Sequence, residues 1–109
     1  MTQEKWREII GNIKDNFPVE ETEKIHFDEE GGVDLEYIIF KGPLGRMKLE
    51  FITRPVVIDK KTKYSNRAGQ RTVVEYVYSP DELSHKLKAY KWDEAINDWL
   101  EMEAKKFEL

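Results

Sequence analysis

Seven residues near the middle of the chain have side chains suited to binding an anion. Arg54, Lys60, Lys61, Lys63, Arg67 and Arg71 carry positive charge, and Tyr64 places an aromatic ring among them. Lys and Arg neutralise phosphates, and an interleaved aromatic stacks on a base. The planar fork of Arg adds two-point contact with phosphate or carboxylate. These residues belong to the stretch 41–71, which holds nine of the chain's eighteen Lys and Arg against only Glu50 and Asp59, a formal charge of +7. Residues 1–40 set four bases against eleven acids, for −7, and residues 72–109 set five against nine, for −4. A protein that is acidic overall therefore gathers its positive charge in one segment.

That segregation points to non-catalytic binding of an anionic partner: nucleic acid, a phosphorylated ligand or an acidic protein surface. A competing reading makes Lys60-Lys61-Thr62-Lys63 a solvated turn and pairs Arg54 and Arg71 with the acidic ends of the same chain or of a second copy. The chain is then a structural or protein-interaction domain acting as a homodimer. The sequence pI of about 5.3 favours this alternative, since nucleic-acid domains often exceed ~9. A third reading is a small enzyme with a pocket between sheet and helices.

Other constellations are weaker. His26 and Asp28 stand two apart on an alternating stretch and share a face, a spacing that suits a base and its orienter or two metal ligands. Metal sites need three or four ligands, and the second histidine, His85, falls on an expected helix far away. Asp34, Glu36 and the Glu29-Glu30 pair lack the spacing of a calcium loop. Gly42-Pro43-Leu44-Gly45 precedes a strand and reads as a turn. There is no nucleophile elbow, phosphate loop or dinucleotide fingerprint. No catalytic residue, metal ligand or cofactor is assigned. With no Cys in the sequence, thiolate chemistry and disulfides are excluded, which fits a reducing compartment. The N-terminus has no signal-like apolar run, and no run is long enough to span a bilayer. A cytoplasmic protein without a membrane partner is the expectation.

The elements that must position these residues follow from hydrophobic period. A length of 109 residues suggests a single α+β domain. Trp6, Ile9, Ile10, Ile13 and Phe17 recur at helical spacing, with Thr2 to cap and Pro18 to stop the helix. Alternation then predicts a four-stranded antiparallel meander over 24–28, 33–40, 46–53, resuming at 56–58, and 71–78. The interruption at Arg54-Pro55 implies a bulge. Residues 59–70 read as a long polar loop that carries the basic cluster. Ile25, Phe27, Leu35, Tyr37, Met47, Leu49, Phe51 and Tyr76 are expected to face the helices, with Lys24, His26, Asp28, Glu36, Lys48, Glu50 and Glu75 on the open side. Ser79-Pro80-Asp81-Glu82 has the form of a capping box with Pro at the first helical position. It predicts two C-terminal helices packed on one sheet face, the first carrying Leu83 and Leu87. The hydrophobic phase then changes near Lys91, and the second helix carries Trp92, Trp99 and Met102.

Overall fold

A computed structural model describes residues 1–63 and 73–107. The helix α1 (Gln3–Asn16) forms where the apolar spacing places it. Thr2 Oγ1 accepts the Lys5 N–H at 3.1 Å. Phe17 turns extended ahead of Pro18, its N–H donating to the Ile13 carbonyl at 2.8 Å. Trp6, Ile9 and Ile13 are buried.

Five strands follow: β1 (Val19–Phe27), β2 (Val33–Gly42), β3 (Gly45–Lys63), β4 (Val73–Asp93) and β5 (Asp98–Met102). They form one antiparallel sheet in chain order. A short 3-10 turn, Glu29–Gly31, joins β1 to β2, and a second, Ala104–Phe107, follows β5.

This corrects the expected architecture of four strands and two C-terminal helices. Residues 83–93 and 98–102 form strands joined by a turn, not helices, and the sheet has five strands. The reason lies in two ambiguous signals. Leu83 and Leu87 are four apart, which satisfies one helical face and one strand face equally. Their neighbours decide for the strand: Leu83, His85, Leu87 and Ala89 pair across to Pro55, Thr53, Phe51 and Leu49. The capping motif does form its local bonds, with Ser79 Oγ accepting the N–H groups of Glu82 at 3.0 Å and Asp81 at 3.3 Å. It caps a single turn. Val57 pairs with Tyr78 and Pro55 with Leu83, so residues 79–82 are extra length on β4, accommodated as a bulge. The apparent change of phase near Lys91 is the approach to a hairpin. Trp92 pairs with Trp99 and Asp93 with Asp98, and Asn97 takes a positive φ of 52° in the intervening turn.

The covered face also differs from expectation. Along β2 the run Tyr37-Ile38-Ile39-Phe40 is apolar on both sides, so alternation alone does not say which side is inner. Register does. Ile38 lies between Thr22 and Leu49, and Phe40 stands opposite Met47. The buried cluster joins Ile38, Phe40, Met47, Leu49, Phe51, Leu87 and Ala89 to the apolar stripe of α1. Lys24, His26, Asp34 and Glu36 share that face of the sheet with the core. Ile25, Leu35 and Tyr37 lie on the other, and Phe27, expected inside, is 45% exposed.

The strands β3 and β4 outrun the rest of the sheet. Their pairing continues from Val57–Tyr78 to Lys63–Val73 as a two-stranded arm, with no strand beside it among the described residues. The molecule measures 60 × 36 × 22 Å with a radius of gyration of 18.4 Å, against about 13 Å for a compact domain near this length. Among the described residues no helix is long and apolar enough to cross a membrane.

Candidate functional site

The basic segment is divided by the fold into cations that the chain satisfies itself and cations that it presents. Arg46 Nε donates to Glu20 Oε2 at 2.6 Å, and its guanidinium lies 5.2 Å from the ring centroids of Trp92 and Trp99. Lys48 Nζ sits 5.1, 5.9 and 5.8 Å from the rings of Tyr37, Tyr90 and Trp99. These residues cover the sheet face opposite α1, where the stem of a long cation shields apolar surface while its head rests against aromatic faces. On the same face the Tyr90 hydroxyl pKa is raised to about 12, chiefly by burial and then by Glu50, and that of Tyr37 to about 12, chiefly by its hydrogen bond to Glu23. The aromatic–cation cluster is invisible until β4 and β5 are known to be strands.

Of the expected anion-binding residues, Arg54 lies near the root of the arm, with Nη1 3.9 Å from Glu30 Oε2. Lys60 and Lys61 are exposed on the arm itself. Lys60 stands opposite Tyr76 and Lys61 opposite Glu75, so the two lysines project from opposite faces of the ribbon. Lys63 is the last residue of β3, opposite Val73. Tyr64, Arg67 and Arg71 lie outside the described residues. Residues 59–63, expected to open the polar loop, instead continue the β3–β4 ladder, and residues 64–70 of that loop lie outside the described residues. Val57, Ile58, Val74 and Tyr76, also on the arm, are exposed apolar side chains.

A second arrangement gathers residues that the sequence reading had kept apart. His26, Asp34, Thr53 and His85 stand in one row across β1 to β4, on the α1 side of the sheet. The row exists because His85 lies on β4 opposite Thr53 and not on the expected helix. The helix begins short of it, so the first two turns of α1 and the polar row enclose a groove of about 380 Å³. Within it, His26 Nδ1 meets Asp34 Oδ1 at 2.6 Å, and Nε2 reaches Asp28 Oδ1 at 3.1 Å. Thr53 Oγ1 and His85 Nδ1 share a hydrogen bond of 2.9 Å. Glu36, one row nearer the core, accepts the Trp6 indole N–H at 3.1 Å and lies 3.7 Å from Lys24 Nζ. Among the described residues no three His, Asp or Glu side chains converge as metal ligands do.

Both nitrogens of His26 face carboxylates, which suits an imidazolium donating twice and leaves no free nitrogen to act as a base. The hydrogen bond to Asp34 is the main cause of a pKa raised above 6.5, with Asp28 adding a smaller push. The sign follows from linkage. A raised folded-state pKa means that the pair's contribution to stability is complete below 6.5 and fades as pH rises through the higher folded value. Asp34→Asn is expected to return the His26 midpoint towards 6.5, read from its ring-proton NMR shift. An unchanged midpoint would mean that Asp34 does not hold the imidazolium.

No protein-family model, curated protein or solved structure matches the chain.

Proposed function

We propose that this protein binds nucleic acid, without catalysing a reaction on it, through the arm formed by β3 and β4. The observation that carries the reading is the two-stranded ribbon running past the sheet with Lys60 and Lys61 exposed on opposite faces. A flat anionic surface would engage one face only. A duplex groove offers phosphates on two walls, and its major groove admits a two-stranded ribbon. In the sequence, Lys63, Tyr64, Arg67 and Arg71 fall between the two strands of the arm, and these residue types suit phosphate contact and base stacking. The acidic remainder of the molecule limits where a polyanion can approach, leaving the arm as the favourable contact. A cytoplasmic location suits this reading.

Fluorescence anisotropy with labelled duplex and single-stranded oligonucleotides at two salt concentrations tests it. Lys60→Glu/Lys61→Glu/Lys63→Glu is expected to weaken duplex binding by more than about tenfold and to flatten the salt slope, since each lost phosphate contact removes about 0.9 from it. The melting temperature should stay nearly constant, because Lys60 and Lys61 are exposed. Equal affinity of variant and parent would sink the proposal.

The exposed apolar residues Val57, Ile58, Val74 and Tyr76 favour a second reading, in which the arm meets an acidic protein surface or the acidic N- and C-terminal segments of a second copy. A ribbon of two strands is marginal alone and gains from being covered. Sedimentation across a salt series separates the readings, a salt-sensitive dimer supporting the second.

A further inference from the structure

We infer that the groove between α1 and the polar row is a binding site for a small aromatic carboxylate, distinct from the arm and independent of its function. The argument starts from three rings. Trp6 stacks on Phe51, and Phe51 on His85, each pair 5.2 Å between centroids and 11° from parallel. Trp6 and Phe51 are buried. His85 is half-buried and lines the groove, so the stack ends there on an imidazole. The Thr53 bond at Nδ1 fixes the ring plane and leaves Nε2 for a ligand. A flat ring laid on His85 continues the stack at the ordinary spacing of aromatic pairs. Leu83, exposed and next along the same face of β4, offers such a ring an apolar edge.

Charge selects the ligand's polar end. The carboxylates in the groove are answered from within: Asp34 by His26, and Glu36 by the Trp6 indole and Lys24. Arg7, exposed on the second turn of α1 and lining the same groove, has no ion pair among the described residues. Its guanidinium is the unanswered charge, and its fork matches a carboxylate. A volume of about 380 Å³ lies in the usual range for small-molecule sites and accommodates two fused rings with one acidic group.

The test is a two-dimensional amide NMR titration of the full chain with 2-naphthoate, run beside the matched amide and the matched aminomethyl cation. Saturable shifts centred on Arg7, Leu83 and His85 are expected with the carboxylate, and affinities at least about tenfold weaker with the other two. Arg7→Gln, on an exposed helix face, is expected to keep the fold and lose about tenfold in affinity. His85→Ala should lose the ring-dependent part. Lys60→Glu/Lys61→Glu should leave naphthoate binding intact, which separates this site from the arm. Absence of saturable binding at millimolar naphthoate, equal response to all three probes, or full affinity in Arg7→Gln would each overturn the assignment.

Discussion

Trp6→Ala is expected to remove about 3–5 kcal/mol of folding stability, the usual cost of truncating a large buried aromatic. The ring is 2% exposed and stacked on Phe51. With Ile9 and Ile13 it holds α1 on the sheet. Its loss opens a void over Phe51 and strips Glu36 of the indole N–H, leaving Lys24 as the remaining partner of that carboxylate among the described contacts. Set against a total of about 5–15 kcal/mol for a domain, this loss is severe. The thermal midpoint should fall by more than about 10 °C, at about 4–8 °C per kcal/mol for a domain near this size. Trp6→Phe separates the two contributions, because it keeps a ring and removes the donor. Its expected cost is smaller, about 1–3 kcal/mol for leaving a partly buried carboxylate short of a partner. Urea unfolding followed by far-ultraviolet circular dichroism measures both variants. A loss below about 1 kcal/mol in Trp6→Ala would show that α1 is not anchored through this residue.

The sequence makes some of this arrangement plain and conceals the rest for definable reasons. The helix α1 is legible because three signals agree: apolar spacing, the Thr2 cap and the stop at Pro18. The hairpin at Pro43-Leu44 and the irregularity after Arg54-Pro55 are legible because Pro restricts the backbone locally and Gly, as at Gly45 with φ +99°, admits a turn conformation other residues avoid. The second half is not, because its local signals conflict with its partners. Ser79 caps a turn as its neighbours suggest, yet the chain resumes as a strand once Leu83 meets Pro55. Tertiary pairing overrides a motif whose Ser79 Oγ bonds are formed. The charge segregation is legible as arithmetic, but not its division. That Arg46 and Lys48 settle among Tyr37, Tyr90, Trp92 and Trp99 depends on register between β3, β4 and β5. The same dependence concealed the groove, since His26 and His85 share a row only through two intervening strands.

Gly31→Ala is the sharpest probe of how the arm is set on the sheet, with an expected loss of about 2–3 kcal/mol. Two physical costs combine. Gly31 sits at φ +80°, where an L-residue is strained by about 1–2 kcal/mol. A methyl there would also lie 2.8 Å from Tyr78 Cγ and 3.3 Å from Pro55 Cγ. These two residues flank the bulge from which the arm departs, so the turn between β1 and β2 buttresses its root. The added carbon must displace the Tyr78 ring or tilt the turn. A double-mutant cycle with Tyr78→Ala apportions the cost. In the Tyr78→Ala background the steric part disappears and the backbone part remains, so Gly31→Ala should cost about 1 kcal/mol less there than in the parent. Chemical denaturation of the four proteins supplies the cycle. Equal costs in the two backgrounds would mean that Tyr78 moves aside freely, and that the arm's direction is set by the β3–β4 ladder alone.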